Sequence, residues 1–189
     1  MKDISALIRN RRSVQPVLYT KQPIPRERIE EILENANWAP THRKTEPWRF
    51  KVFQGKALEK LSDYLGNWYE ANTPEERFSA IKLQKTRQKP TQSACVIAIC
   101  MQRDPKESLP EWEEIAAVAC AVQNMWLTCT AYGIGSYWSS PAAITKHAKD
   151  FLNLKIGERC LGLFYMGYVR EGVPLSSIRQ PIADKVDWV

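Results

Sequence analysis

No apolar run in this 189-residue chain approaches the ~20 residues that a bilayer-spanning helix needs. Its opening, Met1-Lys2-Asp3-Ile4-Ser5, has no apolar core of the secretory kind, so a cytoplasmic location is the expectation. The chain has no GxGxxG and no GxxxxGKS/T, which removes the usual glycine-rich phosphate cradles. It has no HExxH pair and no Cys/His cluster, so no ordinary metal site is expected, and no GxSxG nucleophile elbow. Histidine is down to two residues, too far apart to form a motif; His147, among Lys146, Lys149 and Asp150, reads as a surface residue. The five cysteines (Cys95, Cys100, Cys120, Cys129, Cys160) lack CxxC spacing and lie in apolar segments. They read as buried thiols of a reducing compartment, not as a disulfide or zinc frame. With no repeats, low-complexity segments or internal linker, a single domain over residues 1–189 is expected.

What the chain does have is positive charge. The net charge is +6 and the pI about 9.1. That balance suits either a nucleic acid or an anionic small ligand. The first reading finds no RNP-like strand, helix-turn-helix spacing or basic tail to support it. Basic residues concentrate at Arg9 to Arg12, at His42-Arg43-Lys44, and at Lys82, Lys85, Arg87 and Lys89, the last group reading as a solvated helix face.

Periodicity gives the elements. A short amphipathic helix is predicted over residues 3–9, with Ile4, Leu7 and Ile8 on one side. Pro25 opens a second, striped by Ile29, Ile32, Leu33 and Ala36 and ended by Pro40. Residues 48–54 alternate as a strand, and a helix through Leu58, Leu61 and Leu65 follows Gly55. Thr73-Pro74-Glu75-Glu76 reads as the capped start of another helix, broken by Pro90. Residues 94–101 and 160–169 are apolar strands, the first continuous enough to be buried on both faces. A helix over residues 111–132 is apolar nearly all round, which suggests burial against a partner subunit as well as the sheet. Gly133-Ile134-Gly135 ends it, Trp138-Ser139-Ser140 is a turn, and Pro141 opens a short helix to Phe151; a polar tail begins at Gly172. The sum is α+β: helices around a central sheet of mixed or antiparallel order.

The chain shows no acid, base or nucleophile of its own, but cation clusters can borrow chemistry from an anionic cofactor. Arg11-Arg12-Ser13, after a short helix, suits a phosphate dianion. From composition alone, the more ordinary reading is a helix C-terminus that favours positive charge.

The order of four motifs then narrows the choice. Arg-Arg-Ser follows the first helix, and Ala-Pro-Thr-His-x3-Glu-Pro-Trp-Arg-Phe follows the second; a long apolar helix ends in Gly-Ile-Gly, and Tyr-Trp-Ser-Ser comes next. This order resembles the FMN-dependent nitroreductase family, in its compact bacterial NAD(P)H form, from Ile4 to Val186. The resemblance implies an intertwined homodimer with FMN at the interface and NADH or NADPH as electron donor. Hydride would pass through the flavin to a nitroaromatic or quinone-like acceptor in a ping-pong sequence. It implies flavin contacts from Arg11, Arg12, Ser13, Gln15, Trp138, Ser139, Ser140 and Arg179, with His42 and Lys44 serving the flavin of the other subunit. Trp38 is a candidate for the substrate wall, Trp48 for the core, and Trp112 and Trp126 for the dimer interface. Two positions depart from the family: Gln15 stands where Lys or Arg is frequent, and Glu46 where Gln is usual before Pro-Trp. Both make a flavin harder to reduce unless Arg43 or Lys44 compensates. The same fold also admits a redox-inactive FMN carrier.

Overall fold

The computed structural model describes residues 3–189. Its order is α1 (Ile4–Asn10), α2 (Arg26–Asn37), β1 (Trp48–Phe53), α3 (Lys56–Asn72), α4 (Ala80–Thr91), β2 (Cys95–Gln102), α5 (Glu111–Ala131), β3 (Ile134–Ser139), α6 (Ala142–Thr145) and β4 (Glu158–Tyr168). The strands form one sheet in the order β1-β2-β4-β3, and every pair is antiparallel. Among the described residues no helix is long and apolar enough to cross a membrane.

Strand β2 explains the layering. Its residues from Cys95 to Met101 are all completely buried, and successive side chains alternate between two cores. Cys95, Ile97, Ile99 and Met101 join α2 and α5 through Ile32, Ala36, Val118 and Met125. Val96, Ala98 and Cys100 join α3 and α6 through Leu61, Leu65 and Ile144. Burial of a Leu- or Ile-sized side chain stabilises by about 1.5–3 kcal/mol, so each face of this one strand is a substantial source of stability.

Helix α5 buries Glu114, Ala117, Val118, Ala121, Val122, Met125 and Cys129, a stripe at helical spacing. Trp112, Ala116, Ala119 and Cys120 lie on its other side and are exposed. The all-round apolar character therefore resolves into one face on the sheet and one left open. Glu114 is fully buried but paired: Arg103 donates to it, as does the backbone N–H of Asp104 at 2.9 Å.

Several boundaries differ from the sequence-based expectation. No helix starts at Thr73. A short 3-10 turn, Glu75–Arg77, intervenes, and α4 begins after Ser79, whose hydroxyl accepts from Lys82 N at 3.3 Å. The Tyr69 hydroxyl accepts from Ser79 N at 3.1 Å and holds the break. Pro90 does not break α4 but sits inside its last turn. The helix expected from Pro141 to Phe151 is only Ala142–Thr145, followed by turns. Cys120 is exposed, unlike the other four thiols. The largest miss is β3. Gly133, at φ 69°, does end α5, but the chain then enters a strand at once, so Trp138 and Ser139 are edge-strand residues instead of a turn.

Candidate functional site

Helix α1 ends where Arg11 and Arg12 meet α5. The Arg11 guanidinium lies 4.6 Å from the centre of the Trp126 ring, a cation–π contact. The Trp126 indole donates to Arg12 O at 3.0 Å and stands edge-on to Phe164 at 5.4 Å. Trp126, expected at a subunit interface, is thus engaged within its own chain, where it anchors the arginine segment. Arg12 donates to Arg11 O at 3.0 Å and to Arg9 O at 2.5 Å, while its buried Nε has no protein partner.

A cavity of about 480 Å³ opens over this segment, lined by Ile8, Arg9, Asn10, Arg11, Arg12, Ser177 and Arg179. Four of these residues are arginine and none is acidic. Burial, followed by the like charges of Arg179 and Arg12, pulls the Arg11 pKa below its usual value. Arg179 reaches the cavity from the tail, donating to Ser177 Oγ and to Ile178 O. Uncompensated guanidiniums around one hollow suit an anion that offers several acceptors. Ser13, next in sequence, is exposed and bridges to Ser136 at the sheet edge instead of lining this cavity.

Trp126 also lines a neighbouring cavity of about 320 Å³ with Trp138, Ser140 and Leu161. The Trp138 Nε1 is buried without a protein partner. Gly162 makes room for this ring. A Cβ there would fall 2.5 Å from Ser139 O and 2.6 Å from Trp138 Nε1, and φ at +147° disfavours a side chain as well. Trp126, which lines this aromatic cavity, also carries on its ring the Arg11 that lines the arginine cavity.

Gln15 lines a third cavity, about 310 Å³, with Pro16, Val17, Lys85, Gln88, Lys89 and Gln92. Of the α4 cations expected as a solvated face, Lys82 and Lys85 are exposed, whereas Arg87 and Lys89 are half-buried and engaged. Lys89 Nζ lies 5.3 Å from the Tyr137 ring centre, and Arg87 is bound to Asn67 and Glu70 on α3. Burial alone would raise the Tyr137 pKa, but hydrogen bonds from Gln15 and Ser139 and the charge of Lys89 outweigh it and lower it. Tyr137 thus lies within electrostatic reach of Gln15, Ser139 and Lys89. The alternation of β3, had the strand been recognised, would have placed it there.

The loop after α2 stands apart from all three cavities. Arg43, Lys44 and Glu46 have φ of 51°, 56° and 43°. Such conformations cost non-glycine residues roughly 1–3 kcal/mol each, so the surroundings must hold them. Thr41 Oγ1 accepts from Glu46 N at 3.2 Å and lies 3.2 Å from Thr45 Oγ1; Arg49 donates to Glu46 O at 2.8 Å. His42 Nδ1 lies 2.5 Å from Glu113 Oε2 on α5. An open groove of about 440 Å³ runs past Pro40, Thr41, His42, Trp112, Glu113 and Cys120. Lys44 is exposed, and Trp38 is 79% exposed with its indole donating to Glu34 at 3.0 Å. Trp48 is core, its indole donating to Asn37 at 3.0 Å. Within one chain, then, Arg11, Arg12 and Arg179 come together, Trp138 and Ser140 adjoin them through Trp126, and His42, Lys44 and Trp38 do not.

Comparison with known proteins bears on what this arrangement is. The profile described as "Nitroreductase family" matches residues 8–168. The curated protein named "Putative NAD(P)H nitroreductase YfhC", from Bacillus subtilis (strain 168), is 30% identical over 182 residues, 95% of this chain and 90% of its own. The crystal structure of a nitroreductase-like family protein from Bacillus cereus superimposes with a TM-score of 0.85 at 28% identity, covering 100% of this chain and 97% of that one. A nitroreductase with bound FMN from Bacteroides fragilis shares the fold, with a TM-score of 0.75 at 22% identity over 100% of both chains. By the extent of the profile match and of these relatives, the chain belongs to the nitroreductase family.

Proposed function

We propose that the chain is an FMN-dependent NAD(P)H oxidoreductase acting on nitroaromatic or quinone-like acceptors. It works as a single-domain protomer in a homodimer, with the flavin at the subunit interface. The observation that carries the reading is the acid-free cavity formed by Arg9, Arg11, Arg12 and Arg179, beside a hollow walled by Trp126 and Trp138. The donor set fits FMN: arginines for a phosphate dianion, the partnerless Arg12 Nε and Trp138 Nε1 for acceptors, and an aromatic wall for a flat ring.

FMN, when bound, supplies the hydride chemistry between NAD(P)H and the acceptor in two half-reactions. The chain's own residues bind and orient. Arg11, Arg12 and Arg179 would hold the phosphate end, with Ser13 adding a hydroxyl, and Trp138, Ser139 and Ser140 would contact the ring. Gln15 approaches from the α4 side. His42 and Lys44 are given to the neighbouring subunit's flavin, and Trp38 to the acceptor's wall. The exposed α5 face (Trp112, Ala116, Ala119) and the exposed tail residues Ile178, Ile182 and Trp188 support a dimer, since together they leave much apolar surface open.

The test is spectroscopic. The purified protein is expected to be yellow, to bleach anaerobically with NADH or NADPH, and to recover its colour on adding a nitroaromatic. A yellow protein that neither nucleotide bleaches would be a flavin carrier and would overturn the enzyme assignment.

A further inference from the structure

We propose that Glu113 is a positioning residue for His42. It fixes the imidazole as the Nδ1–H tautomer and leaves Nε2 as a hydrogen-bond acceptor toward the neighbouring subunit's flavin. The ligand in this statement rests on the function proposed above; the tautomer rests on geometry alone. Nδ1 lies 2.5 Å from Glu113 Oε2. An ionised carboxylate can only accept, so the shared proton belongs to Nδ1, and in the uncharged form of the ring the lone pair lies on Nε2.

The surroundings support a presented ring. The His42 side chain is 58% exposed whereas that of Glu113 is 24% exposed, so the acid is the recessed partner and the imidazole faces outward. Glu113 stands in the first turn of α5, where the aligned peptide dipoles favour a carboxylate. The backbone that carries His42 is locked on both sides by the Thr41 clamp and by the left-handed Arg43 and Lys44. An acceptor at Nε2 suits an N–H or O–H group, which FMN offers at its ring N3 and along its ribityl chain. It does not suit a phosphate, so the loop and the arginine cavity would recognise different parts of one molecule. Glu113 lies 71 residues from His42 in sequence, and no motif links them.

A mere tie between loop and helix would be indifferent to the tautomer, which makes the idea testable. The chain has only two histidines, so ring 15N resonances can be assigned in the FMN-loaded protein with His147 as the control. His42 is expected as Nδ1–H in the wild type, with the Nε2–H form gaining population in Glu113→Gln, whose amide can donate to Nδ1. Nε2–H in the wild type, or an unchanged tautomer in the variant, would overturn the proposal. In parallel, Glu113→Gln is expected to weaken FMN binding about tenfold. The same change in a His42→Phe background should add nothing; an equal loss in both backgrounds would show that Glu113 does not act through His42. Failure of the wild-type protein to bind FMN would overturn the proposed function and the flavin half of this inference together, whereas the wrong tautomer overturns the inference alone.

Discussion

The arginine cavity and the His42 loop are both basic in sequence, yet they are held by opposite means. In the cavity Arg11 rests on the Trp126 ring and its neighbours are other arginines, so charge is left uncompensated. In the loop the backbone is strained, and His42 is matched by Glu113. The first arrangement stores electrostatic cost that an anion relieves. The second stores conformational cost and presents a defined hydrogen-bonding edge. On the proposed function, the cavity would take the anionic end of the cofactor within one chain, and the loop would face the neighbouring subunit.

The comparison can be broken from either side. Ala119→Glu, on the exposed face of α5, should cost the most. A charge at the proposed interface should yield monomers by light scattering, and FMN binding should fall about 100-fold or more, because the loop would lose the site it serves. Arg11→Ala should weaken FMN by about 30- to 100-fold while the protein stays dimeric, as read by flavin titration alongside light scattering. Added inorganic phosphate should compete in the wild type and not in this variant. Gly162→Ala should lower stability by about 2 kcal/mol in urea unfolding, since the new methyl meets Ser139 O and Trp138. Lys44→Ala should do least, lowering the bound-flavin midpoint potential by about 10–30 mV, as expected of one exposed cation. A potential that does not move would remove Lys44 as compensation for Gln15 and Glu46.

Much of this was legible in the sequence, for identifiable reasons. Helices α1, α2, α3 and α5 announce themselves by period and by Pro25, and β2 by its unbroken apolar run. Arg11 and Arg12 stand out because two guanidiniums follow a short helix; Arg179 was reachable only through resemblance, since nothing local marks it. Strand β3 was missed because Gly-Ile-Gly reads as a helix stop and the strand is short and on the sheet edge. With β3 went Tyr137 and its link to Gln15 and Lys89. The contacts of Trp126 with Arg11, Arg12 and Phe164 were not legible, because apolar periodicity cannot say which side of a helix meets its own chain. The Glu113–His42 pair was invisible because the fold, not the sequence, brings it together.

The uneven burial of the thiols has a consequence for experiment. Cys120 is exposed on the open face of α5, while Cys95, Cys100, Cys129 and Cys160 are enclosed. In the proposed dimer, with this face at the interface, alkylation should run on two clocks: Cys120 reacting at the rate at which subunits separate, and the other four waiting for the fold itself to open. A single mass spectrum of the unmodified chain would then time dissociation of the proposed dimer and unfolding together.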